Sequence, residues 1–235
     1  MKKITIYLLI LLVYACHPLY AVTRFWVGGS GNFNDGNHWS LSSGGSPIGG
    51  TINWLNTDIA KFDANSGSPT VMFTGSEYID KLHISGSITV TFIPNSTSSR
   101  TLTVGHAAAE DNFTLASAST LVIKGLNAAT DRNMTVSINN IDNIKAYISG
   151  YIKVTDDDTG YGKFVRGSGS TVTFNAGSTY EHNSAESASN IPVSTWNVNS
   201  TCLITGITGD QPGNLDQSFG NFTWNCPNQN TNLNL

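Results

Sequence analysis

LHISGSITVTFIPNSTSSRTLTV, residues 82–104, is the stretch whose reading decides the fold. Within it, Leu82-His83-Ile84, Ile88-Thr89-Val90-Thr91-Phe92 and Leu102-Thr103-Val104 alternate apolar with polar residues. Successive side chains of a strand point to opposite faces, so this two-residue period predicts strands with an apolar inner face and a Thr-rich outer one. Ser85-Gly86-Ser87 is a small polar turn between the first two runs.

The same texture extends in both directions. Upstream lie Asp58-Ile59-Ala60-Lys61-Phe62 and Val71-Met72-Phe73. Downstream come Phe113-Thr114-Leu115, Leu121-Val122-Ile123, Met134-Thr135-Val136-Ser137-Ile138, Ala146-Tyr147-Ile148 and Tyr151-Ile152-Lys153-Val154. Val172-Thr173-Phe174, Leu203-Ile204-Thr205, Phe222-Thr223-Trp224 and Leu233-Asn234-Leu235 complete the series. The chain therefore reads as all-β. A β-sandwich uses about seven strands in roughly a hundred residues. A β-solenoid stacks coils of about twenty or more residues with two or three strands each. The runs are too many for one sandwich, and no linker-like stretch divides two. The expected fold is a right-handed parallel β-helix (a β-solenoid) over residues 70–235; one or two antiparallel β-sandwiches is the alternative. The final run has no cap behind it, which predicts continuation into further carboxy-terminal domains.

The first coil of a solenoid has no neighbour, so its strand edges and apolar interior need a cover. Residues 24–47, RFWVGGSGNFNDGNHWSLSSGGSP, suit that role. Trp26, Phe33 and Trp39 supply apolar area and the glycines allow tight turns, so residues 22–69 are expected to form an amino-terminal cap with the first strands. Residues 1–21 read as a signal peptide: Lys2 and Lys3, an apolar run over residues 4–15, then Leu19-Tyr20-Ala21 before the cut. The run is too short for a membrane helix. Val13-Tyr14-Ala15-Cys16 loosely resembles a lipobox, but the Tyr beside the small residue does not fit. The expected location is secreted or cell-surface, with no transmembrane helix in the mature chain.

Loss of the leader takes Lys+Arg from 12 to 10 against 16 Asp+Glu, moving the net charge from −4 to −6. A sparsely charged acidic chain lacks the clustered cations that phosphate contact needs, so nucleic acid is not an expected partner. Cys202 and Cys226 remain in the mature chain and are a candidate disulfide, which by chain-entropy reasoning would contribute about 3–4 kcal/mol.

No catalytic or cofactor set emerges. His38, His83, His106 and His182 lack zinc spacing. Asp156-Asp157-Asp158-Thr159-Gly160 slightly resembles a calcium loop through Asp156 and Asp158, but the twelfth position is Gly167 rather than the required Glu. There is no G-x-S-x-G elbow. Glycoside hydrolysis needs two carboxyls across one sugar bond; Glu77 with Asp80, beside Lys81, and Glu181 are the candidates. Tyr151, Tyr161 and Tyr180 are candidates for stacking on sugars, against the plainer role of packing between coils.

Trp26-Val27-Gly28-Gly29-Ser30-Gly31-Asn32-Phe33, then Asp35 and Asn37-His38-Trp39-Ser40, resembles the opening of large secreted surface proteins of Bacteroidetes-type bacteria. Gly44-Gly45-Ser46-Pro47 and Phe62-Asp63-Ala64-Asn65-Ser66 fit the same pattern. So do Phe174-Asn175-Ala176-Gly177-Ser178-Thr179-Tyr180, Thr195-Trp196-Asn197 and Phe219-Gly220-Asn221-Phe222. The resemblance implies a β-helical, adhesin-like exoprotein, often exported by the type IX route, with surface glycans or other cell-surface proteins as partners. Phe33 stands where Trp is more usual. The function expected from the whole sequence is a non-catalytic structural segment of a cell-surface protein. A carbohydrate-binding module and part of a polysaccharide lyase or hydrolase are the alternatives.

Overall fold

The structure is a computed structural model and describes residues 21–95, 97–107, 109–127, 131–157, 160–185 and 189–232. Cys16 with nearly all of the expected leader, Asp158 and the run at 233–235 lie outside the described residues.

The chain is all-β. It opens with β1 (Thr23–Trp26), β2 (Gly31–Asn32) and β3 (Trp39–Ser40). There follow β4 (Ile59–Phe62), β5 (Thr70–Phe73), β6 (Glu77–Ile79), β7 (Lys81–Ile84), β8 (Thr89–Pro94) and β9 (Arg100–Val104). The middle holds β10 (Ala109–Leu115), β11 (Thr120–Lys124), β12 (Met134–Ile138), β13 (Ile144–Ile148), β14 (Tyr151–Asp157) and β15 (Gly160–Arg166). The last are β16 (Thr171–Phe174), β17 (Thr179–Asn183), β18 (Thr195–Trp196), β19 (Thr201–Ile204) and β20 (Asn221–Trp224). Helix is confined, among the described residues, to short 3₁₀ turns at Gly36–His38 and Ala64–Ser66.

From β4 to β14 each strand pairs in parallel with the strand three places on. The rows are β4-β7-β10-β13-β16-β18, β5-β8-β11-β14-β17-β19-β20 and β6-β9-β12-β15. Among the described residues, strands pair antiparallel at β1 with β3 and at the tips of β14 and β15, where Asp156 faces Tyr161; isolated antiparallel bridges join Asp35 to Thr51 and Leu126 to Arg132. The ladders keep register although the chain between them varies in length. Thr89, Thr120, Tyr151, Thr179, Thr201 and Asn221 align in one column across the second row, and the chain intervals within that column shorten toward the carboxy end. The last two intervals, Thr179 to Thr201 and Thr201 to Asn221, add no strand to the third row, which therefore ends at β15.

Alternation builds the core: Val90, Phe92, Leu121, Ile123, Ile152 and Val154 are buried while Thr89, Thr91, Thr120, Val122, Tyr151 and Lys153 face outward. Gly162 carries β15 across the end of β11 at backbone distance. A Cβ there would sit 1.8 Å from the carbonyl oxygen of Ile123, so no other residue fits without moving a strand.

The expected disulfide is not formed; both cysteines are free. Cys202 is buried and pairs in register with Phe222. Cys226 falls four positions beyond Phe222, about 13 Å along an extended chain, and Cα atoms more than about 7 Å apart cannot be bridged. Its thiol is instead hydrogen-bonded by the backbone of Ile207 and Asn225.

Candidate functional site

The amino-terminal segment packs around its aromatic residues. Trp26, Phe33 and Trp39 have no exposed surface. Trp39 stands edge-on to Trp26, Phe33 and Trp54, with centroids 5.0, 5.3 and 4.8 Å away. Phe33 stacks on Phe73 at 4.6 Å, which joins the cap to β5. The indole N–H of Trp26 donates to Gly29 O (2.9 Å) and that of Trp39 to Phe33 O (2.7 Å), so burial leaves neither donor unpaired. Asp58, wholly buried, accepts from Val22 N (3.0 Å), Leu55 N (3.0 Å) and Arg24 Nη1 (2.6 Å); the Arg24 guanidinium lies over the Trp54 ring. No sequence signal singles out Trp54 or Asp58 for the cap, because neither stands in the Gly-rich stretch. Trp26, Phe33 and Trp39 lie inside this cluster, and Trp54 at its margin is partly exposed.

One polar group lies across β14, β17 and β19. Register brings Lys153 beside Glu181, and Thr205 follows β19. Glu181 accepts from the Tyr151 hydroxyl, from Thr205 Oγ1 (2.7 Å) and from Lys153 Nζ (3.3 Å). Burial pushes the Glu181 carboxyl up, but the hydrogen bonds from Tyr151 and Thr205 and the Lys153 charge outweigh it and hold it below the ordinary range. Burial, then the hydrogen bond to Glu181 and its charge, push the Tyr151 hydroxyl well up. This is an ionised, fully engaged carboxylate rather than a proton donor waiting for a substrate.

The three tyrosines do not share a face. Tyr151 is half-buried at the start of β14, where a shallow polar cleft of about 230 Å³ is lined by Ser119, Thr120, Gly150 and Thr179. Tyr161 sits beside the other end of β14, opposite Asp156, with Lys163 Nζ 4.6 Å from its ring centroid. Tyr180 is corrected as a stacking candidate: it is an inward residue of β17 with no exposed surface. Its hydroxyl lies 3.2 Å from His182 Nδ1, and its ring is edge-on to Phe174 and Trp196. The pattern Thr-Tyr-Glu-His-Asn buries positions two, three and four, which hides its alternation from the sequence.

Several other carboxylates are also engaged. Glu77 accepts from Asn34 Nδ2 (2.6 Å), and burial raises its carboxyl against that bond. Asp80 Oδ1 accepts from the backbone of His106 and Ala107 (3.0 Å each) and from Asn112 Nδ2 (3.3 Å). Lys81 pairs with Asp111 at 2.5 Å. Asp156 Oδ2 accepts from Ala185 N (2.6 Å), and Asp157 pairs with Lys124 at 3.4 Å. Among the described residues no three His, Cys, Asp or Glu side chains gather where they could hold a metal ion, and no helix is long and apolar enough to cross a membrane.

Comparison with known proteins adds no relative: no family model, no curated protein and no solved structure matches this chain.

Proposed function

We propose that this chain is a non-catalytic structural segment of an exported, cell-surface protein, folded as a right-handed β-helix and acting as a stiff spacer and contact surface. The observation that carries the reading is the recurrence of parallel pairing between strands three apart, kept in register over circuits of unequal length, beneath rows of Thr and other polar residues. That pairing favours a β-helix over antiparallel sandwiches, whose neighbouring strands run in opposite directions. The engagement of Glu77, Asp80 and Glu181 by protein donors favours a scaffold over a glycosidase. The leader at residues 1–21 and the resemblance of residues 24–66 to secreted surface proteins support the location. The second reading, a carbohydrate-binding module, rests on Tyr151 beside its polar cleft.

A glycan-array screen of residues 22–235 separates the two. The scaffold reading expects no retention on any polysaccharide. Retention that Tyr151→Ala abolishes, with the circular dichroism spectrum unchanged, would replace it with the carbohydrate-binding reading.

A further inference from the structure

Val22 is the residue that follows the expected leader, and the fold holds its backbone on both sides. Its nitrogen donates to Asp58 Oδ1 at 3.0 Å, while Arg24 Nη1 (2.6 Å) and Leu55 N (3.0 Å) donate to Oδ2. Its carbonyl oxygen accepts from Ile59 N at 2.9 Å, which begins the β1–β4 ladder. These bonds use no atom before the Val22 nitrogen, and Ala21 beside it is exposed. The Asp58 side chain has no exposed surface and the Arg24 side chain is 13% exposed. A buried carboxylate gains most from charged donors, because little water competes for it.

In the uncut chain the Val22 nitrogen is an uncharged peptide N–H. Hydrolysis of the Ala21–Val22 bond changes that. Water gives its oxygen to the Ala21 carbonyl carbon, the C–N bond breaks, and both protons of the water finish on the nitrogen. Ala21 leaves as a carboxylate and Val22 is left as an ammonium. We propose, resting on the reading of residues 1–21 as a leader, that a signal peptidase cuts at Ala21–Val22 and that the new Val22 ammonium pairs with buried Asp58, fixing β1 against β4. A cut one residue to either side would delete this nitrogen or move the charge about 3.5 Å along the chain. The cut precedes the docking of Val22, because proteases take accessible, unpaired chain and the docked nitrogen is held on a buried carboxylate.

The first test reads the amino terminus of the full chain after export from a bacterial host, by intact mass. A start at Val22 is expected; a start elsewhere, Cys16 included, overturns the cut. The second test compares purified chains that begin at Val22, at Ala21 or at Nα-acetylated Val22; acetylation keeps the N–H and removes only the charge. Hydrogen exchange at the Leu55 and Ile59 amides, which donate to Asp58 and to Val22, is expected to be about tenfold slower at pH 7 with free Val22 than in the other two. Pairing raises the value of the ammonium. Its advantage in thermal melts is therefore full below about pH 8, the ordinary limit of an α-amine, and is lost as the pH rises through the raised value. Asp58→Asn is expected to erase the differences between the three chains. Arg24→Gln keeps the carboxylate and is expected to preserve them, which tests the pair should Asp58→Asn fail to fold. Equal exchange in the three chains, or an advantage of free Val22 that ignores pH, overturns the ion pair even where the exported chain starts at Val22.

Discussion

At the residue scale, the buried pair Tyr180–His182 sets the acid response. His182 has no exposed surface, its Nε2 has no hydrogen-bond partner, and burial pushes the imidazole down to about 4. A histidine whose folded value is depressed below about 6.5 gives full stability above that pH and loses it as the pH falls toward 4, because the unfolded chain takes up the proton first. The loss amounts to about 3 kcal/mol, or roughly 10 °C in melting temperature for a chain of this size. Glu181, held below its ordinary range, adds to the loss below about pH 4.5; Glu77, raised, opposes the fall above about pH 4.5, where the folded carboxyl takes up its proton first. Thermal melts from pH 7 to 4 are expected to show the fall. In Tyr180→Phe/His182→Phe, which removes both polar partners together, the part of the fall between pH 6.5 and 4.5 should disappear. A second residue-scale expectation concerns the turns. Ala118, Gly177 and Asn199 occupy the same third position of three corners with φ of 61°, 83° and 68°. Only glycine adopts that conformation without strain, and Asn tolerates it better than Ala. Ala118→Gly is therefore expected to raise stability by about 1 kcal/mol and Gly177→Ala to lower it by about as much. A Cβ at Gly177 would meet nothing within 4 Å, so a shift in its urea midpoint reports backbone strain alone.

At the scale of elements, alternation makes most strands legible in the sequence. Met134-Thr135-Val136-Ser137-Ile138 is β12 itself, and Leu121-Val122-Ile123 lies inside β11. The strands that escape are those whose inner positions are not apolar. β15 places Gly160 and Gly162 inward because the end of β11 lies against it, and β17 buries Tyr, Glu and His in succession. A corner signal is present but shorter than the repeats usually sought. Ser119-Thr120, Ser170-Thr171, Ser178-Thr179 and Ser200-Thr201 each end a turn and start a strand with a buried Ser. In the last three, the Ser Oγ donates to the carbonyl three residues back. The candidate site is less legible than the fold. Glu181 meets Tyr151 and Thr205 only because two circuits of different length bring β14, β17 and β19 into register, and no spacing rule in the sequence fixes those lengths.

At the scale of the whole molecule, the proposed β-helix has each circuit held mainly by the circuits on either side, and on that reading the aromatic cluster around Trp39 protects what lies behind it. Asp58 ties together Val22, Arg24 on β1 and Leu55, while its own backbone oxygen accepts from Asp80 N at 2.9 Å. Asp58→Asn leaves the Arg24 charge without its counter-ion and is expected to cost about 3 kcal/mol. Hydrogen exchange should locate the damage: amides of β4 to β7 lose protection first, while those of β16 and β17 keep it. Equal loss along the chain would mean that the cap and the far circuits unfold as one unit. The ladders of the second row tolerate long circuits near β11 and short ones near β20 without a change of register. The short intervals leave out the third-row strand, and the remaining differences in length are taken up at the corners. Insertions and deletions at those corners are thus close to neutral for folding, and a lineage carrying this architecture is free to remodel its exterior by changing segment length while its inward residues stay the same.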